Sequence, residues 1–351
     1  MTHRAGRESD AGGGQDSSGA ARGRPRVSVV IATYNRRQLL GEALRALGRQ
    51  SVPPSSFEVV VVDDGSQDGT AEWLAMLTLP FDHHVLRQTN QGPSAARNAG
   101  IRISRGDIIV LLDDDFVPDR DLLREHLRIH DSEEGVVVMG PALSLPHYRQ
   151  PWIAWQQATL ERAYDAMSRG DLEPSFRQFW SGNCSVERKE VLAAGGFDPS
   201  LRFNEDVELG YRLMSRGLRF RFNASAKGLH YSSRSFAGWS ATHRAYGRLH
   251  AGLFRRLGED TMYRILVGDW SRRHPLTRWL VRRTVGRRGR LSIATTVLGA
   301  AVRLGAFAPM SRFSHTVCAA LANMLYWDGV AQELGQGEAL CATLEAGERR
   351  P

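Results

Sequence analysis

The sequence has few cysteines and lacks the glycine-rich loops that hold phosphates in common nucleotide-binding folds. Its 351 residues include three cysteines. Their odd number and their spacing fit neither a disulfide framework nor a zinc site, so we expect a reducing compartment. No G-x-G-x-x-G segment and no Walker loop occurs, which removes the phosphate cradle of the dinucleotide-binding and P-loop classes.

Long apolar runs are also missing from the sequence. No stretch of about 18 uncharged apolar residues occurs. The nearest approach, residues 291–310, is interrupted by Arg303 and is predicted to be a buried helix. Residues 1–26 are rich in Gly, Ser, Asp and Arg without an apolar core, which predicts a disordered tail rather than a signal peptide. We therefore expect a cytoplasmic protein.

Lysine is scarce, and the positive charge is concentrated in one region. The formal net charge is +8, and residues 243–290 contain 13 Arg against Glu259, Asp260 and Asp269, a local charge of +10. Three interpretations remain open: a solvated helical face, a contact with an anionic membrane surface at the inner face of the cell membrane, and a site for a phosphate-bearing substrate. Nucleic acid is not expected, because no helix-turn-helix or aromatic-interleaved motif accompanies the arginines.

Alternating apolar and amphipathic segments predict the fold of the first half of the chain. Apolar, β-branched runs predict strands at residues 27–33, 57–62, 84–87 and 107–112, and segments with helical spacing separate them. This alternation predicts a parallel, doubly wound sheet that binds ligands at the carboxyl ends of its strands. Further strands and helices follow, and residues 241–351 are predicted to form a basic helical region.

Three adjacent aspartates, Asp113, Asp114 and Asp115, follow the fourth predicted strand. Three neighbouring negative charges at the end of a buried strand need a positive partner. Alternation in an extended segment places Asp113 and Asp115 on the same side. Two carboxylates on one side suit Mg²⁺ or Mn²⁺, with phosphate oxygens completing the coordination shell. Helix capping accounts for one aspartate but not for three.

The segment LLDDDFV also matches the nucleophile loop of haloacid-dehalogenase-type phosphatases, in which Asp113 would attack phosphate. That family carries the loop on its first strand and needs a functional lysine further along the chain. Here the loop follows the fourth predicted strand, and the chain contains only Lys189 and Lys227. A phosphohydrolase of this type therefore stays open as an alternative function.

Six segments, in this order and at compatible spacing, resemble the family 2 glycosyltransferases of the GT-A fold. They are VSVVIATYNRRQLLGEAL, VVVVDDGSQDGT, NQGPSAARNAGI, IIVLLDDDFVPD, SGNCSVERKEVLAAGGFD and NEDVELGYRLMSRG. The resemblance covers residues 27–230 and weakens beyond them. It implies a mixed α/β sheet in a GT-A catalytic domain at 27–240, with a nucleotide-binding half at 27–118, an acceptor-binding and catalytic half at 119–240, and a helical C-terminal extension.

The resemblance implies a metal-dependent, inverting glycosyltransferase of the hexosyltransferase type. The donor would be a UDP-, GDP- or TDP-sugar. The acceptor would be a sugar, a lipid-linked glycan or another small molecule, in the synthesis of a cell-envelope glycan, a glycolipid or a secondary metabolite. A module that binds nucleotide-sugars without catalysis is the other alternative.

The resemblance also implies a role for each matching residue. Asp206 would be the catalytic base, and Glu205 would orient it or touch the acceptor. Mn²⁺ or Mg²⁺ would be held through the D-x-D motif by Asp113, Asp115 and His230. The nucleotide-sugar would be bound by Thr33, Tyr34, Asn35, Asp64, Ser66, Arg97, Asp113 and Asp114. The sugar and acceptor pocket would be lined by Trp180, Gly182 and Asn183.

Several of these residues have structural interpretations as well. Glu205 and Asp206 begin a predicted helix, where acidic side chains stabilise the helix dipole. Asp64 lies in a turn-forming sequence that bonds to its own backbone. Arg97 fits a surface salt bridge, and Trp180 fits the core. The sequence leaves both interpretations open for each of these residues.

Overall fold

The structure is a computed structural model that describes residues 24–144, 150–201, 203–231, 234–256, 258–304 and 312–348. The predicted disordered tail lies outside these residues except for residues 24–26, and so does the end of the apolar segment 291–310. Among the described residues, no helix has the length and apolar character needed to cross a membrane.

The centre of the molecule is a seven-stranded sheet, and a second sheet has three strands. The strands are β1 (Val27–Thr33), β2 (Phe57–Asp63), β3 (Asp82–Arg87), β4 (Ile108–Asp113), β5 (Phe116–Pro118), β6 (Val136–Met139), β7 (Ala142–Ser144), β8 (Asn183–Glu187), β9 (Arg219–Phe222) and β10 (Gly228–His230). The large sheet has the order β3-β2-β1-β4-β8-β6-β9. Strands β1 to β4 pair in parallel, as predicted, but β8 runs antiparallel to β4 and β6, so the sheet is mixed.

Helices surround the large sheet and continue to the end of the described chain. They are α1 (Arg37–Leu47), α2 (Thr70–Ala75), α3 (Pro93–Ile103), α4 (Leu122–Ser132), α5 (Pro151–Arg169), α6 (Arg188–Ala193), α7 (Glu205–Ser215), α8 (Phe236–Arg256), α9 (Glu259–Ser271), α10 (Pro275–Thr284), α11 (Arg288–Leu304), α12 (Arg312–Leu334) and α13 (Ala339–Glu348). The helices predicted after the first three strands, and the helix at Glu205 that Gly217 closes, are confirmed.

The large sheet is buried on both faces, which explains its near-continuous apolar strands. Alternate residues of β1 enter different apolar clusters: Val30 packs with the α3 side, whereas Val29 and Ile31 pack with the α1 side. Helix α3 approaches the sheet closely at Gly100, where an added Cβ would lie 2.5 Å from Val30 Cγ1. Glycine is required there because any side chain would push the helix off the sheet.

The C-terminal helices share a core with the sheet. One apolar cluster runs from the sheet to Phe254, Trp270 and Trp327. The predicted boundary between the catalytic domain and the C-terminal region, at residue 240, lies inside α8. This division of the chain into two regions stays a prediction. The helix predicted within residues 291–310 is confirmed for the described part by α11, but its predicted burial is wrong, because Ile293 and Val297 are 68% and 61% exposed.

The three-stranded sheet positions a distant histidine beside the aspartates. Strand β10 pairs antiparallel with β5, which begins directly after Asp115, and parallel with β7. The register places His230 opposite Phe116, and the backbone N–H of Tyr231 donates to the carbonyl of Asp115 at 2.8 Å. A short pairing between strands far apart in the chain therefore delivers His230 to the end of β4.

Candidate active site at the end of the fourth strand

The three aspartates already have positive partners within the chain. Arg36, which precedes α1, donates through Nη1 to Asp114 Oδ1 at 3.0 Å and to Asp115 Oδ2 at 2.7 Å. Thr33, the last residue of β1, donates its hydroxyl to Asp114 Oδ2 at 2.8 Å. Burial raises the pKa of Asp114 to about 6, although the charge of Arg36 opposes this shift. Arg36 is thus a site residue that the sequence analysis missed.

His230 and Asp115 form a second charged contact. His230 Nε2 lies 3.3 Å from Asp115 Oδ1. Burial lowers the pKa of His230, but the hydrogen bond and charge of Asp115 outweigh burial and leave that pKa above its ordinary value. Burial likewise raises the pKa of Asp115, whereas His230 and Arg36 together bring it below its ordinary value. The structure therefore brings these two predicted metal ligands together.

The donor atoms at this position fit a divalent cation. One oxygen each of Asp113 and Asp115 and one nitrogen of His230 lie within 4.8 Å of one another. Two carboxylates and an imidazole form a donor set suited to a divalent ion such as Mn²⁺. Gly182 leaves the space beside this cluster open, because an added Cβ would lie 2.5 Å from Asp113 Oδ2.

Arg97 connects the aspartate cluster to the predicted catalytic acids. Its side chain is 10% exposed, and it donates to Asp113 Oδ1 at 2.7 Å and to Glu205 Oε1 at 3.0 Å. Its guanidinium lies 5.5 Å from the ring centroid of Phe197. Burial lowers the pKa of Arg97, but the charges of Asp113 and Glu205 outweigh burial and raise it overall. The side chain is a buried bridge rather than a surface salt bridge.

Asp206 lies one residue beyond this bridge, in the first turn of α7. Asn204 adopts φ 62° just before the helix, a left-handed conformation that asparagine tolerates better than most residues. The backbone N–H of Val207 donates to Asp206 Oδ1 at 2.8 Å. Burial, and then the charge of Glu205, raise the pKa of Asp206 to about 7, against the effect of Arg97. Asp206 is therefore a carboxylate that exchanges its proton near neutral pH.

The Asp64 carboxylate, predicted to bind the base, anchors the loop after β3. Asp64 Oδ1 accepts from the side chain of Gln88 at 2.7 Å and from the backbone of Gln91 at 2.9 Å, and Oδ2 accepts from the backbone of Gly92 at 2.8 Å. These bonds hold the loop that leads into α3 and so help to place Arg97. The interpretation that Asp64 bonds to the backbone of its own turn is wrong, because Asp63 accepts that bond from the backbone N–H of Ser66. The role of Asp64 in base binding stays a prediction.

The ends of β1 and β2 are joined at Asn35 and Ser66. The backbone N–H of Asn35 donates to Ser66 Oγ at 2.9 Å, and the backbone N–H of Gln67 donates to Asn35 Oδ1 at 2.7 Å. Tyr34, which lies between Thr33 and Asn35 in the sequence, is 44% exposed. An open cavity of about 530 Å³ adjoins this segment, lined by Asn35, Arg36, Arg37, Gln38, Leu39 and Asp68. Its volume is that of a small-molecule site.

The three residues predicted to line the acceptor pocket separate in the structure. The Trp180 ring stands edge-on to the His230 ring, with centroids 5.6 Å apart, and Gly182 lies against both Trp180 and Asp113. Asn183, by contrast, is fully buried. It donates to the carbonyl of Ala226 at 2.7 Å, and its Oδ1 lies 2.9 Å from His126 Nε2. The structure therefore brings Trp180 and Gly182, but not Asn183, to the aspartate cluster.

Two further residues at the site were assigned no role from the sequence, although Phe197 lies within one of the matching segments. Phe197 lies under Arg97. Tyr246 of α8 lies near Asp206, because burial and then the negative charge of Asp206 raise the pKa of Tyr246. Tyr246 lies in the helical region beyond the matching segments, where spacing indicates only a helix face. For Arg36 the sequence offers only an indirect signal: it closely follows the first predicted strand, and parallel strands place their carboxyl ends at the same edge of the sheet.

Comparisons with known proteins identify the family of the chain. The family model described as Glycosyl transferase family 2 matches residues 28–192. Glycosyltransferase AglE of Haloferax volcanii is 30% identical over 59% of this chain and 67% of its own length. The uncharacterized glycosyltransferase YfnE of Bacillus subtilis is 28% identical over 58% of this chain and 64% of its own length. A validoxylamine A glucosyltransferase of Streptomyces hygroscopicus subsp. limoneus is 29% identical over 58% of this chain and 51% of its own length.

Solved structures show the same fold at low sequence identity. A mannosyltransferase from Pyrobaculum calidifontis, in complex with GDP-Man and Mn²⁺, has a TM-score of 0.54 and 20% identity, with 89% of this chain and 87% of that chain covered. Residues 1–349 of S. aureus TarS, in complex with UDP-GlcNAc, have a TM-score of 0.56 and 15% identity, with 89% of this chain and 92% of that chain covered. The chain belongs to glycosyltransferase family 2 and has the GT-A fold. The chain matches about half to two thirds of the length of the curated relatives named above.

Proposed function

We propose that the protein is a metal-dependent, inverting glycosyltransferase that moves a sugar from a nucleotide-sugar to an acceptor hydroxyl. The observation that carries this proposal is the Arg97 bridge, with one contact to Asp113 at the end of β4 and one to Glu205 in α7. A single side chain spans from the aspartate cluster to the catalytic acids, a distance that one sugar diphosphate also spans. Neither a phosphohydrolase nor a non-catalytic module is favoured by the family to which the chain belongs.

The nucleotide half of the donor is assigned to the ends of β1 and β2. Thr33 and Tyr34 directly precede Asn35 and Arg36, which line the cavity, and Tyr34 presents an exposed aromatic face on which a base would stack. Asp64 already accepts three hydrogen bonds, which leaves one of the roughly four acceptor positions of its carboxylate for a base N–H. Ser66, Asp113 and Asp114 complete the edge that would face the ribose.

The diphosphate half is assigned to the aspartate cluster. Asp113, Asp115 and His230 would hold Mn²⁺ or Mg²⁺, which would offset the charge of the departing nucleoside diphosphate. Arg36 and Arg97 place two further positive charges next to the same position, and guanidinium groups bind phosphate oxygens in a fixed, planar geometry. Trp180 and Gly182 would contact the transferred sugar, where an aromatic ring stacks on a sugar face.

Asp206 is the residue that we assign as catalytic base. Its carboxylate would take the proton of the acceptor hydroxyl while that oxygen forms a bond to the anomeric carbon of the sugar. The bond between the anomeric carbon and the diphosphate oxygen breaks in the same step, and its electron pair leaves with the nucleoside diphosphate. One displacement inverts the anomeric configuration. A pKa of about 7 for Asp206 suits a base that works near neutral pH, and Glu205, held by Arg97, would orient it.

The substrate classes and the location follow as proposals. One relative is named as a glucosyltransferase, and two proteins of similar structure are in complex with GDP-Man and UDP-GlcNAc. These similarities support a UDP- or GDP-sugar as the donor and leave a TDP-sugar open. The acceptor would be a sugar, a lipid-linked glycan or another small molecule. We propose a cytoplasmic protein held peripherally at the inner face of the membrane by the Arg-rich region 243–290.

The test is a screen of nucleotide-sugars for hydrolysis and transfer in the presence of Mn²⁺. We expect one donor class to be cleaved, and Asp115→Ala to abolish the cleavage. Asp206→Asn should lower transfer by at least about 10³-fold while the affinity for the nucleoside diphosphate, measured by calorimetry, changes little. The matched control is Asp260→Asn, because Asp260 follows a glutamate at the start of α9 as Asp206 does in α7, but it is exposed.

Three outcomes would contradict the proposal. Cleavage of an aryl phosphate that is lost on Asp113→Asn would indicate a phosphohydrolase. Binding of nucleoside diphosphate and metal without turnover of any donor would indicate a binding module. A collapse of donor affinity in Asp206→Asn would show that this residue binds the donor, so that the base has to be another group.

A further inference from the structure

Helices α10 and α11 expose large apolar side chains to solvent. Leu276 and Trp279 of α10 are 71% and 53% exposed, and Ile293 and Val297 of α11 are 68% and 61% exposed. In each helix the two residues lie three or four positions apart, so they share a face. The other face of α11 packs inward through Leu291, Gly299 and Val302. We call the exposed side the α10–α11 outer face.

This outer face is also positively charged. Residues 275–304 contain seven Arg and no Asp or Glu. Three of the arginines pair with glutamates near the C-terminal end: Arg278 with Glu348, Arg282 with Glu345 and Arg287 with Glu338. Within the described residues, Arg283, Arg288 and Arg290 form no ion pair, and the guanidinium of Arg283 lies 5.4 Å from the ring centroid of Trp279. One of these unpaired arginines, Arg283, therefore lies against an exposed apolar side chain, and Arg288 and Arg290 are exposed at the start of α11.

The remaining arginines of the basic region are only partly compensated: of the seven between residues 243 and 274, Arg248, Arg264 and Arg273 form no ion pair within the described residues. Four of those between residues 243 and 274 pair with acids of the same protein: Arg244 with Asp328, Arg255 with Glu333, Arg256 with Glu208 and Arg272 with Asp269. The charge of +10 counted along the sequence is thus partly neutralised by residues outside that stretch. The surplus positive charge that coincides with exposed apolar surface lies on α10 and α11.

We propose that the α10–α11 outer face binds anionic lipid headgroups at a membrane surface. Trp279, Leu276 and Ile293 would enter the boundary between headgroups and acyl chains, and Arg283 and Arg290 would bind lipid phosphates, as amphipathic interfacial helices do. A second copy of the chain is a poorer occupant, because two such faces would bring like charges together. The proposal deepens the peripheral location proposed above and is independent of the transfer chemistry.

The experiment is sedimentation of the full chain with vesicles of phosphatidylcholine alone and of an equimolar phosphatidylcholine and phosphatidylglycerol mixture. We expect binding to the anionic vesicles only, and weaker binding as salt is raised. Replacing Arg283 or Arg290 by Gln should lower the partition coefficient by about fivefold each. Trp279→Ser should lower it by roughly tenfold.

Two control variants test whether loss of an exposed arginine or an exposed apolar side chain elsewhere on the protein also lowers vesicle binding. Arg162→Gln removes an exposed arginine of α5, and Met76→Ser removes an apolar side chain that is 78% exposed at the end of α2. Both should leave vesicle binding unchanged. Nucleotide-sugar hydrolysis should be unchanged in every one of these variants, so that failure of the membrane contact is distinguishable from failure of the proposed chemistry.

Three results would overturn the proposal. The first is absence of binding to the anionic vesicles by the unmodified chain. The second is binding that the Arg283, Arg290 and Trp279 variants reduce no more than the controls do. The third is a dimer, detected by light scattering after size exclusion, that dissociates on Trp279→Ser, because a second copy would then occupy this face.

Discussion

Removal of Arg97 should destabilise the protein more than removal of an exposed arginine with similar contacts. Arg97→Met keeps the length of the side chain but leaves Asp113 and Glu205 without their shared positive partner. Loss of one member of a buried ion pair costs about 3–5 kcal/mol in the free energy of unfolding, because the remaining charges stay desolvated. The two carboxylates are only 26% and 14% exposed, so water cannot fully replace the guanidinium.

The measurement is urea denaturation of the parent chain, Arg97→Met and the control Arg221→Met. Arg221 also holds a carboxylate with two nitrogens, that of Glu133, but its side chain is 39% exposed. We expect a cost of about 0–1 kcal/mol for that exposed pair. Arg97→Lys should recover part of the loss, because an ammonium keeps the charge but cannot reproduce the planar fork.

The cost of Arg97→Met should also depend on pH. The charge of Arg97 holds down the pKa of Asp206, which burial and Glu205 raise to about 7. Without Arg97 this pKa rises further, and each added unit costs about 1.4 kcal/mol where Asp206 must be ionised. The destabilisation should therefore be larger at about pH 8 than at about pH 5. Equal destabilisation by Arg97→Met and Arg221→Met at both pH values would refute the reasoning.

Three other predictions concern the same site. The rate of transfer should fall by about tenfold per pH unit below about pH 7, since Asp206 must be deprotonated. Because the pKa of Asp206 is raised on folding, its contribution to the free energy of unfolding is present below the ordinary pKa of 3.8 and is lost as pH rises through about 7. Arg36→Gln should tighten binding of Mn²⁺ alone by roughly three- to tenfold in calorimetry, because Arg36 competes for Asp115; weaker binding would show that Arg36 builds the site. Gly182→Ala should impair donor binding, since its Cβ would meet Asp113 Oδ2 at 2.5 Å; unchanged affinity would show that the loop yields.

The long-range positions of two site residues could not be read from the sequence. His230 reaches Asp115 because β10 pairs with β5, and both strands have only three residues. Such short strands carry no clear alternation, so no local pattern distinguishes them from loops. Glu205 reaches Asp113 only through Arg97, whose partners lie on a strand and on a distant helix.

The surface properties of the C-terminal helices also depended on the tertiary structure. The apolar segment that begins at Leu291 has a hydrophobic composition that predicts burial, yet Ile293 and Val297 face solvent. Periodicity cannot decide which face is covered when apolar residues occur on all sides of a helix. Asn183 is the converse case, since it lies beside the pocket residues in sequence but turns into a buried polar network with His126.

The sequence by itself determined the parallel strands β1 to β4, the placement of three carboxylates at the end of β4 and the start of α7 at Glu205, because each rests on local spacing and on chain-neighbour chemistry. The tertiary structure alone decided that Arg36, Arg97 and His230 supply the positive charge around those carboxylates. It also decided which arginines of the basic region are neutralised. The physical reason is that ion pairs join side chains by distance in space, and distances between residues far apart in the chain are set by strand pairing and helix packing.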